Sequence, residues 1–180
     1  LMGYMNLRET KDARLSFEAL RFCSALFCHK KFLLEWVGPS CGIQLFMEVP
    51  RPSICSTGVA QCLYYMANDD DTMEKVCLLP RAVLSNLTRY VLWLVECSHD
   101  SGRQWAVMFC GLACSFRVLL DLFDEQEGVR RLYNSISTLQ ILNPDSDQPG
   151  NPILKDDQEY NQRLSVRHVM VTFRLYLTLI

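Results

Sequence analysis

Gly42-Ile43-Gln44-Leu45-Phe46 and Gly128-Val129-Arg130-Arg131-Leu132 each read as the opening of an amphipathic helix, and the two glycines lie 86 residues apart. That distance is two steps of 43, and near its midpoint Pro80-Arg81-Ala82-Val83-Leu84 opens a third helix. A short amphipathic piece precedes two of these openings: Phe32-Leu33-Leu34-Glu35-Trp36-Val37 before the first and Met73-Glu74-Lys75-Val76-Cys77 before the second. Self-similarity over roughly 40–47 residues, with two or three helices per unit, marks armadillo and HEAT repeats. A unit of that size cannot bury its apolar face alone, so neighbours stack into a rod with one continuous core. The expected fold is all-α: an armadillo/HEAT-like, right-handed α-solenoid of about three to four repeats.

Helical periodicity continues on either side of these openings. From residue 13 to residue 28, Leu15, Leu20, Phe22, Cys23, Leu26 and Phe27 form a broad apolar stripe at three-to-four spacing. Pro52-Ser53 reads as a helix start, since proline is tolerated in a first turn, and this helix passes through Val59, Leu63 and Met66 to about Ala67. Asn68-Asp69-Asp70-Asp71 stops it and supplies the next N-cap. The helix after Pro80 is expected to end at Ser101-Gly102, and a further one to run from Gln104 to about Leu122. The helix opened by Gly128 is expected to continue to Leu142, and a last one to begin near Glu159. Residues 143–159, with Pro144, Pro149, Pro152 and a surplus of acidic groups, read as a flexible linker inside an otherwise single helical segment, 1–180. The abrupt Leu1-Met2-Gly3 and Phe173 to Ile180 suggest a piece of a larger polypeptide.

Composition narrows the function classes. With 49% hydrophobic and 21% charged residues the chain is that of a folded domain, not a disordered one. A net charge of -2 offers no positive field for collecting phosphates, so nucleic acid is not an expected partner. The apolar run from Trp105 to Leu122 is interrupted by Arg117 and Asp121, which suits a buried helix and not a membrane span. The nine cysteines are odd in number, and Cys23, Cys28, Cys62, Cys97, Cys110 and Cys114 sit in apolar helical runs. Disulfide scaffolds place cysteines in loops around an inadequate core. These read instead as small buried hydrophobes in a reducing compartment.

Catalysis finds little footing. There is no Gly-x-Gly-x-x-Gly or Walker-type loop to cradle phosphates, and none of the motifs that supply a kinase with its catalytic and metal-binding aspartates. Cys23, Cys28 and His29, or Cys97 with His99, lack the second pair that a zinc site requires, and Cys110 and Cys114 share a helix face without a partner pair. His29, His99 and His168 fit solvated or capping positions, and Asp69-Asp70-Asp71 lacks the spacing and glycine of a calcium loop. The chain is therefore expected to be no enzyme, without cofactor or metal.

Surfaces remain. In a solenoid of this type the last helix of each repeat lines a groove. With those helices opening near Gly42, Arg81 and Gly128, the outward positions are Gln44, Glu48, Asn86, Arg89, Arg130, Arg131 and Asn134. Amide and guanidinium groups there could clamp the backbone or carboxylates of a bound chain; the competing reading is an ordinary solvated face. Trp36, Trp93 and Trp105 are expected in the core.

Several long motifs also carry a family resemblance. Leu15-Ser16-Phe17, Ala19-Leu20-Arg21-Phe22-Cys23-Ser24-Ala25-Leu26 and Cys28-His29-Lys30-Lys31-Phe32 are similar to the N-terminal helical region of the Vpr-binding protein family, substrate receptors of cullin-4-type ubiquitin ligases. So are Val49-Pro50-Arg51-Pro52-Ser53, Cys62-Leu63-Tyr64-Tyr65, Glu96-Cys97-Ser98-His99 and Ile136-Ser137-Thr138-Leu139. The resemblance implies an interaction scaffold, found in nucleus and cytoplasm, whose partners are ubiquitin-ligase subunits, substrates or regulators. It also implies that oligomerisation (a LisH motif) and adaptor docking (a WD40 propeller) belong to regions outside this chain. A casein-kinase-like activity is attributed to the same region of the family, and the residues here do not support it. The alternatives are thus a protein kinase and an armadillo-type transport adaptor that carries peptide signals.

Overall fold

A computed structural model describes residues 2–5, 11–38, 42–143 and 156–180. The described residues form α1 (Met2–Met5), α2 (Ala13–Leu26), α3 (Lys30–Val37), α4 (Gly42–Glu48), α5 (Cys55–Ala67) and α6 (Asp70–Cys77). There follow α7 (Arg81–Cys97), α8 (Asp100–Ala113), α9 (Arg117–Glu125), α10 (Gly128–Ser137), a 3₁₀ turn (Gln140–Leu142) and α11 (Asp156–Leu177). Among the described residues there is no β-strand, so the chain is all-α. No helix among them is long and apolar enough to cross a membrane.

Local chemistry sets several helix starts. The Asp12 carboxylate accepts from the amides of Arg14 (2.9 Å) and Leu15 (3.2 Å) at the head of α2. Asp69 does the same for α6, accepting from Thr72 N at 2.9 Å. Each satisfies donors that a bare helix terminus would leave open. The aspartate run thus acts as a capping turn, as its composition suggested.

The long helices α2, α5, α8 and α11 pack in succession to form one layer. α4, α7 and α10 form a second layer beside it; of the short helices, α3 packs on α4 and α6, α6 also on α5, and α9 on α7 and α10. Bonds between equivalent helices recur at a nearly constant sequence offset. Cys55 Sγ lies 3.1 Å from Ala13 O and Cys62 Sγ lies 3.3 Å from Leu20 O, both 42 residues apart. In the second layer Tyr90 Oη donates to Val49 O (3.2 Å) across 41 residues, and Gln126 at the end of α9 donates through Nε2 to Ser85 O of α7 (3.1 Å). A constant offset means that successive helices run parallel and level, the arrangement in which stacked units share a core. That core is continuous, with Leu20, Leu63, Met66, Leu84, Leu87, Leu94, Val107 and Leu132 all buried.

Some boundaries differ from the sequence reading. Ser101-Gly102 is not a break: α8 begins at Asp100 and carries both residues in its first turn, the chain having reversed at Ser98-His99. Gly102 is there for closeness, since a Cβ on it would lie 2.3 Å from Ser98 Oγ and 3.0 Å from Thr57 Oγ1. The expected helix from Gln104 to Leu122 is two helices. Ser115 N and Phe116 N bond to Leu112 O (3.2 Å) and Ala113 O (3.0 Å), three residues back, which tightens the last turn before Phe116 turns extended. α10 ends at Ser137, and only the 3₁₀ turn extends to Leu142. Residues 156–159 of the expected linker are instead the first turn of α11, where Asp156, Asp157 and Glu159 suit the positive end of the helix dipole. The rest of that linker, 144–155, lies outside the described residues.

The eight described cysteines are free thiols. Cys23, Cys62, Cys110 and Cys114 are buried as expected, but Cys28 and Cys97 are exposed because each falls where its helix ends. Trp36 is in the core, while Trp93 and Trp105 are only half-buried.

Candidate protein-interaction surface

The seven residues singled out from the sequence lie on α4, α7 and α10, and the second layer ties most of them up among themselves. Arg131 donates to Glu96 at 2.9 Å and Asn134 to the same carboxylate at 3.4 Å, so α10 is clamped to α7. Arg130 pairs with Glu127 (3.1 Å) one turn back on its own helix, and Arg89 donates to Asn86 (3.3 Å) in the same manner. Gln44 and Glu48 are exposed on α4. Of the seven, Arg131 and Asn134 are drawn together around Glu96, and Asn86 and Arg89 meet on one face of α7.

A different surface opens on the first layer. Between α2 and α5 runs a groove of about 560 Å³, lined by Glu18, Arg21, Phe22, Cys28, Gln61 and Tyr65 among others. Phe22 is 58% exposed at its edge, an unusual state for a phenylalanine on a packed helix. Tyr65 links the groove to an aromatic group on the next helix. Its ring centroid lies 5.5 Å from that of Tyr64 and 5.9 Å from that of Trp105, and Tyr64 lies 5.0 Å from Trp105. All three are half-buried, so α5 and α8 present partly exposed rings side by side. Exposed aromatics with a neighbouring arginine are the residue types that protein interfaces favour.

The sequence reading passed over this surface, although the signal for it was present. Stepping by 43 residues takes Glu18 to Gln61 and Gln104, and Phe22 to Tyr65 and Met108.

The remaining chemistry points to packing. An apolar cavity among α7, α8 and α9, lined by Leu87, Val91, Phe109, Cys110, Cys114 and Phe123, has room for about 20 Å³, close to one water molecule. Burial pushes the Cys114 thiol up to about 12 and that of Cys110 well above its usual range, so both stay protonated and unreactive at neutral pH. His29 and His99 occupy N-cap positions without a side-chain cap bond. His168 titrates below its ordinary value because burial, and then Arg167, disfavour its cation. No group of three or more potential metal ligands occurs among the described residues.

Fold and surface together define a stacked-helix domain with an open aromatic face. Residues 1–80 match the family model described as the Mahjong helical domain. The chain is 41% identical over 178 residues to the protein mahjong of Drosophila melanogaster, covering 98% of this chain and 12% of that protein. It is 38% identical over 178 residues to the DDB1- and CUL4-associated factor homolog 1 of Caenorhabditis elegans, covering 99% of this chain and 10% of that protein. To the protein of the same name in Arabidopsis thaliana it is 33% identical over 115 residues, 64% of this chain and 6% of the other. The chain belongs to the family of these DDB1- and CUL4-associated factor 1 homologues, the Vpr-binding protein family. It spans about a tenth of the length of the curated relatives it matches.

Proposed function

We propose that this chain is a non-catalytic protein–protein interaction scaffold within a substrate receptor of a cullin-4-type ubiquitin ligase, and that its helices form an armadillo/HEAT-like solenoid. The observation that carries the reading is alignment along almost the whole chain with relatives named for association with DDB1 and CUL4. The recurrence of inter-helix bonds at 41 and 42 residues supports the solenoid. The scaffold role is supported by a large accessible groove beside clustered half-buried aromatics. Its partners on this reading are ligase subunits, substrates or regulators, met in the nucleus and cytoplasm.

Two measurements test it. Affinity capture with the full-length receptor, with and without the segment equivalent to residues 13–177, is expected to show a subset of partners lost and the adaptor retained. An unchanged partner set would sink the scaffold reading. Calorimetric titration of the purified chain with magnesium-ATP is expected to give no binding, and saturable binding with turnover would replace the scaffold by a kinase.

A further inference from the structure

α11 has two faces. Ser165, Val169 and Thr172 are buried on one, where α8 packs, and the opposite side is open. Along that open side stand Tyr160, Arg163, Arg167, Met170, Arg174 and Leu177, separated in turn by three and four residues. Tyr160, Met170 and Leu177 are each more than half exposed, and Val171 is exposed beside them. No other helix among the described residues leaves as many large apolar side chains in water.

A row at this spacing runs straight along a helix and matches the row of a second helix packed beside it. From Tyr160 to Leu177 it is about 25 Å long, the span of a partner helix of about 18 residues. The spacing thus calls for a helical occupant.

Charge on the same row selects its chemistry. Arg163 is paired with Glu159 one turn back on its own helix. Arg167 and Arg174 are exposed, and among the described residues neither has a carboxylate within ion-pair distance. The acidic groups of α11, namely Asp156, Asp157 and Glu159, are confined to its first turn, and Asp124 of α9 is taken by the Tyr176 hydroxyl at 2.9 Å. Two free cations seven residues apart, with Met170 between them and Leu177 beyond, match carboxylates one heptad apart on the partner, each next to an apolar side chain. A second copy of α11 does not supply them. Laid antiparallel with Tyr160 against Leu177 it sets Arg163 against Arg174, and with Tyr160 against Met170 it sets Arg163 against Arg167. Laid parallel in register, it sets each arginine against its own copy, and like charges so placed oppose association.

We propose that the outer face of α11 docks an acidic amphipathic helix of another protein, its carboxylates meeting Arg167 and Arg174 and its apolar row covering Tyr160, Met170 and Leu177. This deepens the scaffold reading and rests on it.

Fluorescence polarisation with the intact chain tests the idea, using a labelled helical peptide of about 18 residues with leucine and glutamate alternating at three-and-four spacing. Saturable binding is expected, weakening as salt rises from about 0.05 to about 0.5 M. The analogue with glutamine for glutamate should bind about tenfold more weakly. Arg167→Glu, Arg174→Glu and Leu177→Ser should each weaken binding by about five- to tenfold, and Arg130→Ala on α10 should leave it unchanged. The three α11 side chains are exposed, so their effects are independent of folding. Arg167→Glu with Arg174→Glu should regain binding when the peptide carries lysine for glutamate, a rescue that a structural role would not give. In the purified full-length receptor, Met170→Cys should be open to alkylation, read by peptide mapping. Equal binding of the glutamate and glutamine peptides, no saturable binding, loss on Arg130→Ala, or self-association of the chain that the peptide disperses would each overturn the proposal. So would a blocked Met170→Cys, which would assign the face to the receptor's own chain. Failure here with partners still lost on deletion of the segment from the receptor removes only the acidic helix. Failure of both removes the scaffold as well.

Discussion

Gly58 stands in the middle of α5, where a helix ordinarily prefers alanine by about 1 kcal/mol. It is glycine because α2 comes so close: a Cβ at this position would lie 2.8 Å from Leu20 Cβ, an atom fixed to its own backbone. Gly58→Ala is therefore expected to destabilise despite the gain in propensity, by about 1–3 kcal/mol for a forced separation of packed helices. Urea unfolding followed by circular dichroism checks the sign, and a more stable variant would mean that the layer can relax. Asp69 gives a residue-scale prediction with a pH signature. Its carboxyl is held below the ordinary carboxylate value, first by the Thr72 hydroxyl and amide and then by Lys30. A depressed folded-state value contributes stability above the unfolded value, about 3.9, that is lost as pH falls through the folded one. Asp69→Ala should thus cost about 1 kcal/mol at pH 7 as a lost cap. The gap from the parent chain should close as the pH is lowered below about 4, which melts recorded from pH 7 to pH 3 would reveal.

Contacts between elements decide which surface groups are free to bind. α7 and α10 are joined by Glu96, which receives both Arg131 and Asn134, with Arg131 and Glu96 side chains 33% and 26% exposed. That degree of solvent access keeps the pair modest, within the range of about 0.2–1 kcal/mol measured for exposed ion pairs. A double-mutant cycle on Glu96→Ala and Arg131→Ala should return a coupling of that size, and a coupling of zero would release Arg131 as a binding group. Element starts were legible where local chemistry marks them: Asp69 as a cap, Pro80 before α7, Gly128 before α10. The break between α8 and α9 was not, because Cys114-Ser115-Phe116 contains neither glycine nor proline and the reversal is imposed by packing. Gly102 misled in the opposite direction, being a contact glycine and not a breaker.

At the scale of the molecule, apolar spacing carried the all-α class because helical periodicity is a local property, while the bonds between stacked helices fall at 41 and 42 residues and not at the 43 read from helix openings. Which layer offers a groove is not local. It depends on how closely successive helices stack, and α2, α5, α8 and α11 pack on one another far more extensively than α4, α7 and α10 do. In a stack held by nearest neighbours, each inner helix relies on the next for cover. α11 provides that cover for α8, with Val169 buried and the Thr172 hydroxyl donating to Val107 O at 3.0 Å. Gly111 lets the two helices approach, since a Cβ there would meet Thr172 Oγ1 at 3.1 Å and Leu175 Cδ1 at 3.3 Å. Ending the chain before Asp156 should strip this cover and expose apolar surface on α8 while leaving the α2–α5 contact intact. Hydrogen exchange read by mass spectrometry should then show protection falling steeply in α8, less in α5 and little in α2, a gradient along the stack. Uniform loss across all helices would mean that the array folds as one cooperative unit instead of passing stability from neighbour to neighbour.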